Sequence, residues 1–234
     1  MDAHQSSGFV IWLTGMEGAG KTTLATLLGK RFTAAGRRVE LLDGDEPDEI
    51  LTKGLGVTKE DRNTGARRLG HVAKMLARNG ALVVCASLSP YREVRDAIRR
   101  DVRRFVEVFV DCPMETLLAR DSEGIYKRAL AGEIKNVCGI DDPYEPPTHA
   151  EVVLRSDQQK PDAEVGQVLQ ALVDLKYVGP AEFGRLTGGQ RPRRPAKVAG
   201  KGKDGRRKPA GKPAARRAVR RPARPVRAAR RSRS

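Results

Sequence analysis

Residues Gly15 to Thr22 read Gly-Met-Glu-Gly-Ala-Gly-Lys-Thr, the complete phosphate-loop pattern G-x-x-x-x-G-K-[ST], and their flanks dictate what must surround them. Phe9 to Thr14, just before, are mostly bulky and apolar, the composition of a buried strand. Thr23 to Phe32, just after, carry apolar residues at helical spacing. Strand, glycine turn and helix in that order distinguish a working loop from a chance match. Glycines leave no Cβ in the way, so successive N–H groups can face a phosphate at a helix N-terminus. Gly15, Met16, Glu17, Gly18, Ala19, Gly20, Lys21, Thr22 and Thr23 are therefore expected to cradle a nucleoside triphosphate. Lys21 should reach its β- and γ-phosphates, and the Thr22 hydroxyl should face Mg²⁺.

The rest of the pattern repeats the alternation. Strands are expected at Arg38–Asp43, Ala81–Ala86, Phe105–Val110 and Val152–Leu154. Helices are expected at Lys59–Asn79, Tyr91–Arg100, Met114–Arg120 and Asp162–Leu175. The second helix opens at Thr58 with acids in its first turn and closes at Gly80, as capping requires. Such alternation makes an α/β fold with helices on both faces of a parallel sheet. Ligands then bind at the carboxyl ends of the strands. Three polar groups fall there: the phosphate loop, Asp43-Gly44-Asp45, and Ser87-Leu88-Ser89. The stretch 121–147 is polar and long for a loop, so it reads as a functional lid with too few apolar residues to be core.

Charge divides the chain. The whole holds 45 Lys and Arg against 29 Asp and Glu. Arg185 to Ser234 takes 20 of the bases and one acid, a charge of +19, leaving −3 for the remainder. A segment this rich in Arg, Lys, Pro, Ala and Gly cannot bury enough apolar surface to fold and is expected to be disordered. The organisation read from this is an N-terminal extension 1–7, one domain 8–178, and a linker with basic tail 179–234. Three cysteines without C-x-x-C spacing argue against a disulfide framework or zinc site, and Cys85 and Cys112 read as core residues. The first residues lack the basic and apolar regions of a signal peptide, and no apolar run approaches a membrane span. A reducing cytoplasm fits these features.

Asp43 and Asp45 lie two apart at a strand end. One carboxylate can hold Mg²⁺ while the other accepts a proton from an attacking hydroxyl, which is nearly all phosphoryl transfer asks of a protein. Asp43-Gly44-Asp45, Leu55-Gly56, Asp61-Arg62, Arg67-Arg68, Ser89-Pro90-Tyr91-Arg92, Arg120-Asp121, Gly124-Ile125-Tyr126-Lys127 and Gly139-Ile140-Asp141-Asp142-Pro143-Tyr144-Glu145 follow the phosphate loop in order. From Gly8 to Leu175 the set resembles the adenylylsulfate (APS) kinase family. The resemblance implies a P-loop kinase-type three-layer fold on a mostly parallel five-stranded sheet. It also implies transfer of the ATP γ-phosphoryl to the 3′-hydroxyl of adenylyl sulfate. Catalytic roles then fall to Lys21, Asp43, Asp45 and Ser89, and metal contacts to Thr22, Asp43 and Asp45. Nucleotide contact extends to Arg120. Acceptor contacts fall to Asp45, Arg62, Leu88, Ser89, Arg92, Lys127, Gly139 and Ile140, with Arg95 a further anion contact. A homodimer is expected.

Departures from the family pattern gather on the acceptor side. Asp48 stands at a family arginine, and Val57 and Val137 at two phenylalanines that clamp the acceptor adenine. Gly65 stands at the asparagine of Asp-Arg-x-x-Asn, and Glu17 replaces a small loop residue. A kinase of the same fold with a different hydroxyl acceptor is the alternative these changes raise. The tail raises another, a nucleic-acid-associated protein with a regulatory nucleotide domain, whose contacts would be non-specific and salt-sensitive.

Overall fold

β1 (Phe9–Thr14) is buried at every residue because it lies at the centre of the sheet, with a covered face on either side. The computed structural model describes residues 8–44, 51–189 and 191, all within one compact unit spanning Met1–Pro195. The remaining strands are β2 (Val39–Asp43), β3 (Leu82–Ser87), β4 (Phe105–Asp111) and β5 (Val152–Arg155). Their order is β2-β3-β1-β4-β5, and every pairing is parallel. Purely parallel pairing follows from the crossover between each strand and the next, which carries a helix.

The alternation of β1 decides the two cores. Phe9, Ile11 and Leu13 face one side, where they pack with Leu24, Leu28 and Phe32 of α1 (Lys21–Ala34) and Val168 and Leu172 of α6 (Pro161–Asp174). Val10 and Trp12 face the other, against Ala66, Leu69 and Ala73 of α2 (Lys59–Arg78) and Val94 and Ile98 of α3 (Arg92–Asp101). The result is three layers. α2 carries a full capping box: the Thr58 hydroxyl accepts the Asp61 N–H, and the Asp61 carboxylate accepts the Thr58 N–H. Register then aligns the strand ends, with Thr14 opposite Ser87 and Asp43 opposite Ala86.

Two readings from sequence need correction. The stretch 121–147 is not apolar-poor surface. After α4 (Met114–Arg120) it forms α5 (Ile125–Leu130), and Tyr126, Ala129 and Val137 join the larger core. Residues from 179 onward are not linker at first: α7 (Pro180–Leu186) buries Phe183 and Leu186 and is fastened by a bidentate Arg37–Glu182 pair at 2.6 and 2.9 Å. Both helices are under two turns long, so neither leaves a periodic signal in the sequence. Elsewhere element ends shift by one or two residues, as at α1, which starts at Lys21. Cys85, Cys112 and Cys138 are buried free thiols. Among the described residues no helix is long and apolar enough to cross a membrane. The basic segment 192–234 and its expected disorder lie outside the described residues.

Candidate active site

The loop between β1 and α1 is shaped by two glycines. A Cβ on Gly15 would stand 2.4 Å from the Val110 carbonyl oxygen, so no larger residue lets the loop leave the sheet here. Gly20, with φ of 104°, caps α1 in the left-handed region. No side chain caps the helix, so its first N–H groups are left for an incoming anion. Lys21 is buried and donates to the Met16 carbonyl at 3.2 Å, bending back over the loop. The Tyr126 hydroxyl donates to the Glu17 carbonyl at 2.9 Å, clamping the loop from α5. Burial pushes the Tyr126 phenol above its ordinary range, so it stays a donor.

A cavity of about 510 Å³ opens from this loop. Glu17, Gly18, Gly20, Lys21, Thr22, Thr23, Asp43 and Arg120 all line it. The Thr22 hydroxyl donates to the Asp43 carboxylate at 2.7 Å, so the loop and the end of β2 meet there. Arg120 is fixed at the rim by the Ser156 carbonyl, 2.8 Å from its guanidinium. Asp45, along with Asp48, lies outside the described residues. Gly15, Met16 and Ala19 are in the loop but do not line the cavity.

A second cavity, about 220 Å³, adjoins the first and shares Glu17 with it. Arg62, Leu88 and Ser89 line it together with Val57, Asp61 and Gly65. Arg62 is already engaged: it donates to Asn136 O at 2.7 Å and to Val57 O at 3.1 Å, and lies 3.6 Å from the Asp142 carboxylate. It thus ties α2 to the 121–147 segment. Asp61 is held below the usual carboxylate range, chiefly by the Thr58 hydroxyl.

Ser89 sits in the strained turn after β3, with φ of 30° in the left-handed region. Its buried hydroxyl accepts the Trp12 indole N–H at 3.0 Å and lies 3.1 Å from the Thr14 hydroxyl. Thr14 in turn donates to Leu88 O at 3.0 Å and meets the Tyr144 hydroxyl at 2.8 Å. Arg95 stands behind this turn. It is 1% exposed, pairs with Glu107 at 2.9 Å, and donates to Ser89 O and Glu145 O at 2.6 and 2.5 Å. Its donors are spent on protein, so the expectation of an anion contact at Arg95 is corrected to a buried brace. Arg92 lines neither cavity: its backbone N–H and guanidinium go to Glu145 and Pro146.

Three more expected acceptor contacts lie away from both cavities. Lys127 is exposed on α5, its N–H held by the Asp121 carboxylate. Gly139 packs so tightly on Met16 and Met114 that a Cβ would come within 2.8 and 2.5 Å of them. Ile140 packs against the core. Of the two clamp positions, Val57 is 51% exposed beside the second cavity, whereas Val137 is buried in the core. Sequence reasoning had not singled out Trp12, Thr14, Tyr126 or Asp142. Only Tyr126 and Asp142 stood within quoted motifs; Trp12 and Thr14 read simply as strand. Asp142 accepts both the Tyr91 hydroxyl, at 2.8 Å, and the Cys138 thiol, at 3.5 Å, which burial pushes up to about 12.

The adenylylsulphate kinase family model matches residues 7–155. An adenylyl-sulfate kinase from Picosynechococcus sp. is 47% identical over 173 residues, covering 74% of this chain and 98% of that protein. "Probable bifunctional SAT/APS kinase 2" from Sorangium cellulosum is 50% identical over 172 residues, and there the chain spans only 30% of the relative's length. Among solved structures, the Mycobacterium tuberculosis APS kinase in complex with AMPPNP and APS superposes with a TM-score of 0.68 at 35% identity. That match covers 71% of this chain and 98% of the other.

Proposed function

Because the chain belongs to the adenylylsulphate kinase family, we propose that it phosphorylates the 3′-hydroxyl of adenylyl sulfate with ATP, releasing ADP and 3′-phosphoadenylyl sulfate. The observation that carries this reading is the pair of adjoining cavities that share Glu17 at the phosphate loop. With ATP in the larger and the acceptor in the smaller, the γ-phosphorus and an acceptor hydroxyl meet at the loop. The acceptor oxygen bonds to phosphorus as the bridge to the β-phosphate breaks. Lys21 and the first N–H groups of α1 neutralise the charge that moves onto the phosphates.

Thr22 and Asp43, in mutual contact at 2.7 Å, are hard oxygen donors of the kind Mg²⁺ takes, and of the pair Asp43 and Asp45 one carboxylate would hold the ion. Bound there, the ion neutralises phosphate charge. The carboxylate that does not hold the ion takes the acceptor proton. Ser89, with its hydroxyl occupied by Trp12 and Thr14, is a positioning residue that shapes the wall of the acceptor cavity. The segment 121–147, pinned by Arg62 and Tyr126, keeps water from the phosphoryl group.

A changed acceptor is the second reading, favoured by the exposed Val57 and by Gly65 in the smaller cavity. Buried free thiols suit a cytoplasmic home, and the +19 segment would bind polyanions in a salt-dependent way. ADP release measured with adenylyl sulfate, and then with other nucleotides bearing a free 3′-hydroxyl, separates the two readings. Turnover that depends on adenylyl sulfate supports the first; faster turnover on another acceptor replaces it with the second.

A further inference from the structure

At the opposite end of the sheet, by the amino ends of the strands, lies a third cavity of about 800 Å³. Lys74, Arg78, Arg100, Arg103 and Arg104 line it, with Asp101 the single acid among the described lining residues. This concentration stands out because residues 1–184 carry a net charge of −3. Helix ends explain part of it. α2 and α3 both terminate here, and each presents about half a negative charge that Arg78 and Arg100 complement. Lys74 sits 3.9 Å from Asp101. Among the described residues, Arg103 and Arg104 are left without such a counterpart.

Arg104 is the informative one. Its guanidinium lies 4.8 Å from the Tyr177 ring centroid, and its buried Nε has no hydrogen-bond partner among the described residues. Shutting a charged donor away from water is costly unless an acceptor meets it. The neighbouring arginines obey that rule: Arg95 has Glu107, and Arg99 has Glu107 and Glu151. An oxyanion seated against Arg104 would supply the missing acceptor and offset the excess charge. Among the described residues no aromatic ring lines the cavity, so recognition rests on the anion itself.

We propose that this cavity binds a small multivalent oxyanion, a polyphosphate or the phosphates of a nucleotide, independently of the transfer site. Thermal unfolding of the full chain tests it, with AMPPNP and Mg²⁺ saturating the phosphate loop and inorganic tripolyphosphate titrated in. A ligand of the folded state raises the midpoint in proportion to its occupancy. The comparison is with Arg78→Gln/Arg100→Gln, two exposed positions whose loss leaves the core intact and the basic C-terminal segment unchanged. The expected result is an upward shift in the natural chain, at least halved in the double variant and restored by Arg78→Lys/Arg100→Lys. A parallel titration with adenosine 3′,5′-bisphosphate, with its shift in the double variant subtracted because the acceptor cavity also admits this nucleotide, identifies the source: a larger remaining shift than tripolyphosphate gives points to a nucleotide, a smaller one to inorganic phosphate chains. Equal shifts in all three proteins would overturn the proposal. So would no shift in the natural chain, or a shift produced by duplex DNA and by neither small anion.

Discussion

The two adjoining cavities are built in different ways. The phosphate-binding wall of the larger is one continuous run of chain, Glu17 to Thr23, whose glycines and helix start set the geometry largely through backbone, while Asp43 and residues from Leu117 to Tyr126 complete its rim. The smaller is assembled from side chains on separate segments: Val57 to Leu69 around α2, and Ser87 to Pro90 after β3. It depends on long-range ties such as Arg62 to Asn136 and Arg95 to Glu145. A site made of backbone tolerates most neighbouring substitutions, whereas one made of side chains can drift position by position. The departures Val57 and Gly65 accordingly fall in the smaller cavity. The larger cavity keeps the whole loop pattern, with Glu17, on the shared edge, its one unusual residue.

That contrast predicts a graded set of effects. Lys21→Ala should lower turnover by roughly a hundred- to a thousandfold without unfolding the protein, the usual cost of removing one group that stabilises transition-state charge. Steady-state kinetics beside an unfolding curve checks it, and retention of a tenth of the activity would remove Lys21 from the chemistry. Ser89→Ala should act on the other cavity, raising KM for the acceptor by about tenfold while kcat changes less. In-line transfer needs no covalent protein step, and the hydroxyl is already engaged by Trp12 and Thr14. Phosphate appearing and vanishing on Ser89 at the rate of turnover would contradict this role.

Val57→Phe should tighten adenylyl sulfate by about tenfold, since one aromatic face on a base is worth roughly 1–3 kcal/mol. Val137 is a poor second site for the same change. It is 6% exposed in the core, where added bulk costs about 1–3 kcal/mol of strain. Unchanged acceptor binding in Val57→Phe would favour the changed-acceptor reading. The smallest effect concerns the 121–147 segment. The N–H groups of Val137 and then Asn136 hold Asp141 below its ordinary 3.8. A depressed carboxylate contributes stability above 3.8 that is lost as pH falls through its lowered value. Proteolysis around 134–141 should therefore quicken in acid below that point, and Asp141→Asn should quicken it already at neutral pH. Equal cleavage of both proteins at all pH values would deny Asp141 this anchoring role.

What the sequence revealed follows the same division. β1, the loop and α1 were legible because each is local: an apolar run, spaced glycines and a periodic face. So was the capped start of α2 at Thr58. The ordering of five parallel strands was legible only as a class, since pairing joins residues as distant as Val10 and Phe105. Trp12 illustrates the limit. In sequence it is one more bulky residue of a buried strand, yet its indole fixes Ser89, 77 positions away. Arg95 looked like a ligand for anions because a guanidinium can grip sulfate or phosphate with two parallel hydrogen bonds. Its true partner, Glu107, sits on β4, a buried acid that the apolar pattern there gave no reason to single out.

The most direct measurement is the fate of the γ-phosphorus. ATP labelled at that position is incubated with adenylyl sulfate, Mg²⁺ and the full chain, and the products are separated and read by phosphorus NMR. Two cavities meeting at the phosphate loop predict that the label arrives as a phosphomonoester on the ribose 3′-oxygen, in step with ADP formation. Label recovered only as free phosphate, at the same rate with or without adenylyl sulfate, would mean that the smaller cavity holds no acceptor and would contradict the account.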